Sequence, residues 1–138
     1  MENLNLSFVP SAEETANSPI FCSFAAETRE QKARLYRAMT NPDKKVNECI
    51  NAELLLQDVF VEMVDMVDDE TGEAHKVPRC VLFAADGTTY AATSTGIYNA
   101  VKRLCMVYGV PHWEEPIPVV IRQLQIGQRR FYTLDVVG

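Results

Sequence analysis

Residues 79–108 read RCVLFAADGTTYAATSTGIYNAVKRLCMVY, and the changes of pattern within them set the architecture. Arg79 to Ala84 carries the apolar run Val81-Leu82-Phe83, which predicts a strand. Asp86-Gly87 follows, the strongest short hairpin signal in the chain, because the turn needs positive φ. Thr88 to Ala92 is the returning strand. The period then changes. Ser94 or Thr95 can accept a backbone N–H as a helix cap. Ile97, Val101, Leu104, Cys105 and Tyr108 recur at helical spacing and give one apolar face. Gly109 suits the left-handed position after the last turn, and Pro111 prevents continuation.

Upstream, LLLQDVFVEMVDMV at 54–67 is rich in β-branched residues and reads as one long strand. Its second half alternates Val59, Val61 and Met63 with Phe60, Glu62 and Val64. The acidic stretch 68–73 is a turn with Gly72 available for positive φ. Downstream, IPVVIRQLQI and RRFYTLDVV predict two closing strands joined around Gly127. Towards the N-terminus, Ile20, Phe21 and Phe24 mark a short first strand. Thr28 and Gln31 match a capping box for a helix over about 29–39, which Asn41-Pro42-Asp43 ends. Residues 1–18 read as a flexible arm, leaving 19–138 as a single domain.

With the helix near 29–39 set aside, the order is strand, strand, strand, helix, strand, strand. The expected class is mainly β (α+β). The expected fold is a five-stranded OB-fold-like barrel, with a helix between strands 3 and 4 and an extra short N-terminal helix. Such a barrel leaves one sheet face open to an extended strand of nucleic acid.

Composition narrows the function. At 138 residues and 47% apolar content, the chain supports one core. No apolar run approaches the about 18 residues of a membrane span, and no basic-then-apolar leader opens the sequence. Cys22, Cys49, Cys80 and Cys105 are scattered, without C-x-x-C pairing, so reduced core thiols are expected rather than zinc. No cofactor is expected. The P-loop, zincin and nucleophile-elbow motifs are absent, and the acidic run 65–73 lacks the spacing of a calcium loop. No enzyme is therefore expected. The net charge of −6 runs against phosphate binding, but the charges are segregated. Acidic residues gather at Glu13–Glu14, 65–73 and Glu114–Glu115. Basic ones gather at Arg29 to Arg37, Lys44–Lys45, Lys76 to Arg79, Lys102–Arg103 and Arg122 to Arg130.

VLFAADGTTY at 81–90, the helix TSTGIYNAVKRL and the loop Gly-Val-Pro-His-Trp-Glu-Glu-Pro at 109–116 resemble the small single-stranded DNA-binding proteins of protein-primed bacteriophages. ETREQKARLYRAMTNPDKK at 27–45 is similar to related proteins of other phages and mobile elements. The resemblance covers about 110 residues and implies an OB-like barrel that coats displaced single strands during replication, without sequence preference. Single-stranded DNA and replication proteins are the implied partners, with no membrane. The implied location is the cytoplasm, of the host cell for a phage protein.

Eight residues are candidates for the strand. Tyr90 matches the family's FAADG-x-x-Y tyrosine and would stack on a base from an exposed face, unless it is a core tyrosine. Period two sends Tyr132, Leu134 and Val136 inward, and Phe131, Thr133 and Asp135 outward. An outward Phe131 beside Arg129 and Arg130 suits a strand-binding face, or packs on the helix near 29–39. Arg122 shares a face with Val120 and Leu124 and can meet phosphate or solvent. Phe60 lies on the long strand that lines the binding surface of such barrels, unless it packs in the core. Trp113 can stack on a base or plug the barrel end. Arg79, like Lys102 and Arg103, would contribute diffuse electrostatics. The competing function is an OB-like protein-interaction module, a replication or recombination accessory that does not touch DNA. RNA binding is a lesser variant.

Overall fold

One long strand, β3 (Glu53–Val67), organises everything around it. The computed structural model describes residues 19–67 and 69–137, so the arm expected over 1–18 lies outside the described residues. In chain order the elements are β1 (Pro19–Cys22), α1 (Arg29–Thr40), β2 (Lys44–Lys45), a 3-10 turn (Val46–Glu48) and β3. Then come β4 (Ala74–Ala84), β5 (Thr89–Thr93), α2 (Thr95–Tyr108), β6 (Ile117–Ile126) and β7 (Arg129–Val136).

Local signals explain the helices. The capping box at the start of α1 forms: Thr28 Oγ1 accepts from the Gln31 N–H at 3.1 Å, and Gln31 Oε1 accepts from the Thr28 N–H at 3.0 Å. Ser94, rather than Thr95, caps α2, accepting from the Ile97 N–H at 3.1 Å. Gly87 takes φ +94° in the turn between β4 and β5, as the Asp-Gly pair required.

The sheet order is β2-β5-β4-β3-β6-β7, with β1 also on β3. One edge of β3 pairs with β4 from Leu56↔Ala84 out to Val67↔Ala74. The other edge changes partner along its length. Glu53 to Leu56 pairs with β6, and Phe60 to Glu62 pairs with β1. Between them the backbone is satisfied otherwise. The Gln57 carbonyl accepts from the Trp113 N–H at 3.2 Å, and the Val59 carbonyl from the Ser23 N–H at 3.0 Å.

Two apolar layers result. Leu56, Val59, Val61, Cys80, Leu82, Ile97, Val101 and Ile121 fill the inside of the curl. Phe60, Val81 and Phe83 point to the opposite face of β3 and β4, where Phe24, Leu35 and Ala38 cover them. Helix α1 is thus the lid of a second small core. Phe60 and Phe83 are fully buried in it, each worth about 1.5–3 kcal/mol of transfer free energy.

Two expectations need correction. There are seven strands rather than five: the short first strand, read in the sequence but not counted among the five, joins the sheet as β1, and β2 was not expected at all; counted with them, α2 stands between the fifth and sixth strands. The sheet is a curled, open OB-like half-barrel: among the described residues β5 and β7 do not pair. The physical reason lies at both edges. Lys44 and Lys45 of β2 occupy the edge of β5 in parallel register, Lys44↔Tyr90 and Lys45↔Ala91. The first turn of α2 lies on β7 so closely that a Cβ at Gly96 would collide with the Tyr132 carbonyl.

Candidate nucleic-acid interface

The open seam between β5 and β7 collects cations and an aromatic ring. A cleft of about 420 Å³ there is lined by Lys45, Asn47, Arg79 and Tyr132, over a floor of Ala91, Ala92, Thr93 and Ser94. Small side chains on β5 keep the floor low. Tyr132 is half-buried and packs its ring against the main core. Pairing of Gln123 with Tyr132 and of Gln125 with Arg130 puts all four residues on the inner face of the β6–β7 hairpin. Arg130 therefore stands on the seam side, two residues towards the hairpin tip. Arg79 is held by Glu62, Nη1 to Oε2 at 3.0 Å, and both side chains are largely covered. Its guanidinium is oriented by that pair and half-neutralised by it. Lys45 is exposed. The loop that leads into β2 is fixed by Asp43: its carboxylate accepts from the Thr89 N–H at 3.0 Å and from the Thr89 hydroxyl at 3.2 Å.

A second groove, about 780 Å³, runs between α2 and the β1–β3 ladder. Phe21, Val61, Tyr98, Val101 and Met106 make it apolar, with Lys102 and Arg103 along it; the Lys102 ammonium sits 4.7 Å from the Tyr98 ring centre. It is the larger of the two, but the seam brings cations from two separate strands over a floor of small side chains.

The eight sequence candidates divide. Three aromatic candidates are in the core. Tyr90 lies opposite Leu82 in the β4–β5 register and is 8% exposed, so it faces inward rather than standing on an open face. Burial, then the nearby Asp86 carboxylate, pushes its phenol up from its ordinary value. Phe60 is fully buried beneath α1, because β3 is covered on both faces. Trp113 is 7% exposed and donates its indole N–H to the Gly109 carbonyl at 3.2 Å; it plugs the end of the curl. Phe131 is half-buried on the free edge of β7, beside Arg103, Leu104 and Val107 of α2, and not on α1. Arg122, Arg129 and Arg130 are exposed, with Arg122 donating to Asn51 Oδ1 at 2.9 Å. Arg79 lines the seam. Val136 pairs with the buried Val119 and shares its inner face, although at the end of β7 it is 40% exposed. Lys45 and Tyr132, which line the cleft, are not among the eight candidates. Tyr132 reads as an inward residue, and only the missing β5–β7 ladder turns its face into a cleft.

A family described as Phage Single-stranded DNA-binding protein, of the Phi29 type, matches residues 14–137. The chain belongs to this family. No curated protein and no solved structure matches it significantly.

In this phage family member one polar cluster calls for a chemical reading, because it unites a serine, a histidine and an aspartate. Asp58, fully buried, accepts from the Ser23 hydroxyl at 2.8 Å and bonds His112 Nδ1 at 2.8 Å; the Arg34 guanidinium lies 3.6 Å away. A serine nucleophile must pass its proton to the imidazole. Here the single hydroxyl proton of Ser23 goes to Asp58, so the wiring does not activate the serine. The cluster is a clasp: it ties β1, α1 and the α2–β6 loop to the point where β3 changes partner. Among the described residues there is no metal-binding group of His, Cys, Asp or Glu, and no helix long and apolar enough to cross a membrane.

Proposed function

We propose that the protein coats single-stranded DNA without regard to sequence, protecting displaced strands during phage or mobile-element replication in the cytoplasm. The observation that carries this reading is the seam, where Lys45, Arg79 and Tyr132 converge in a chain of net charge −6. Cations there meet phosphates, and the Tyr132 ring gives one base a stacking surface that accepts any sequence. Arg130, on the same face, and Arg129 and Arg122 on the hairpin extend the positive path. Membership of the phage family supports the same ligand.

The test is fluorescence anisotropy of a labelled oligo-dT at two salt concentrations, with duplex DNA and poly-U as competitors. Binding should favour the single strand and weaken with salt, by about 0.7 in log–log slope for each phosphate met. Tyr132→Ala should weaken it about 5- to 150-fold, the range for loss of one stacked base. The apolar groove beside Tyr98 favours a second reading, docking of a replication or recombination protein without DNA contact. Absence of oligo-dT binding at low salt refutes the first reading and leaves the second.

A further inference from the structure

The seam ends at the turn that follows α1. Pro42, one residue beyond the Asn41 cap of that helix, lines the cleft together with Lys45. From there α1 leads away for about 18 Å at 1.5 Å per residue. Its inner face is occupied by Leu35 and Ala38, and Arg34 is turned down over the Phe24 and Phe83 rings towards Asp58. The outer face carries Lys32, Tyr36 and Arg37, all exposed, and Tyr36 is 68% exposed. A tyrosine that open, on a helix with its apolar stripe already buried, contributes nothing to the core.

After the first turn of α1, where Glu30 is exposed, the charge pattern is one-sided. Between 31 and 45 the only acidic residue is Asp43, and its carboxylate is engaged by Thr89. Lys32, Arg37, Lys44 and Lys45 all reach solvent. In a chain with 19 acidic and 13 basic residues, such a run is a local reversal of sign. Lys32 and Tyr36 are four residues apart and lie one above the other on the helix, with Arg37 alongside. Cations interleaved with an exposed ring are what a single strand requires of a surface: phosphates on the cations, a base on the ring.

We infer that the outer face of α1 continues the seam as a second stretch of the strand's path, with Lys32 and Arg37 taking phosphates and Tyr36 stacking a base. The inference rests on the single-strand reading above and lengthens its footprint. Helix α1 is then both the lid of the small core and the far half of the binding track.

The test compares two oligo-dT lengths, one near the about 4-nucleotide lower limit of such domains and one beyond the about 16-nucleotide upper limit. Salt titrations are run on wild type, Lys32→Gln/Arg37→Gln, Tyr36→Ala, and the seam variant Lys45→Gln/Tyr132→Ala. Unchanged melting temperatures show that the exposed substitutions leave the fold intact. On the long oligo the helix double variant should lose about 1.4 from its salt slope, two phosphates at about 0.7 each. Tyr36→Ala should weaken the long oligo about fivefold or more. Neither should change binding of the short one, whereas the seam variant should weaken both. If the seam variant loses affinity while the helix variants bind the long oligo like wild type, the helix track is overturned and the seam stands. If wild type binds neither oligo, both readings are overturned.

Discussion

Replacing Asp58 by alanine should destabilise the fold by loosening β1 and α1 from β3. The side chain is fully buried and accepts from two segments of the chain, through Ser23 at 2.8 Å and His112 at 2.8 Å. Hydrogen bonds to a charged group contribute about 1.5–3 kcal/mol each, so the two together are worth about 3–6. Arg34, at 3.6 Å and 35% exposed, adds little once solvent screening is counted. The loss should therefore be about 3–5 kcal/mol, the range for breaking a buried polar cluster from one side. Each kcal/mol lowers the melting temperature by about 4–8 °C in smaller domains and about 2–4 °C in larger ones. A 138-residue chain falls between, and a drop of about 10–20 °C is expected. Calorimetry on wild type, Asp58→Ala, His112→Ala and the double variant measures it, with a coupling of about 1–3 kcal/mol between the two positions. Hydrogen exchange should quicken first in β1 and α1, which the clasp holds to β3. An Asp58→Ala protein that melts within a few degrees of wild type would refute the clasp.

Three other substitutions or titrations probe the same frame. Gly96→Ala should destabilise by about 1–3 kcal/mol although alanine is the better helix former, because its Cβ meets the Tyr132 carbonyl; a stabilised variant would show that α2 does not lie that close to β7. Tyr90→Leu should lower the melting temperature, while the folded protein keeps its oligo-dT affinity, since the ring is in the core; lost affinity without lost stability would return Tyr90 to the interface. Burial pushes the Cys22 thiol up to about 11 and that of Cys80 up to about 12. In the native protein a thiol reagent at mildly alkaline pH should thus modify the half-buried Cys49 and Cys105 before either. The same burial favours the neutral thiol in the folded state, so its stabilisation is complete below the ordinary thiol value of 9.0 and is lost as pH rises through about 11–12. A melting temperature flat across that window would contradict it.

The hairpin and the two helices were legible because their signals are local: an Asp-Gly turn, a capping box, a glycine after the last turn of α2. Tyr90 was expected on an exposed face, against a signal that pointed inward: the turn at Asp86-Gly87 sets Tyr90 opposite Leu82, and Leu82 belongs to an apolar run that must be buried. Phe60, offered for the binding surface with core packing as its alternative, is in the core. Its neighbourhood, Val59-Phe60-Val61, is a short continuous apolar run of the kind found in strands covered on both sides. Strand β2 could not be read: two lysines in parallel pairing with a segment 46 residues away leave no periodicity. The clasp was equally hidden, since Ser23, Asp58 and His112 are 35 and 54 residues apart and meet only through the partner change on β3.

The same unreadable elements account for the proposed interface. A closed five-stranded barrel would pair the strands that here are β5 and β7, and Tyr132 would then be one more core residue beneath a continuous ladder. Two lysines on the edge of β5 and a glycine turn on the edge of β7 prevent that closure. What would have been the last seam of a barrel becomes a cleft with a cation on one wall and a ring on the other. Lys45 closes off the β5 edge with its backbone and offers its side chain to the cleft, so one residue both stops the ladder and supplies charge. The net charge of −6 then poses no contradiction: the acidic surplus can lie on other surfaces, while the seam is lined by Lys45 and by an Arg79 already oriented by Glu62. Neutralising Lys45 alone should therefore weaken salt-dependent binding without touching stability, whereas any substitution that lets β5 and β7 pair should stabilise the fold and abolish binding together.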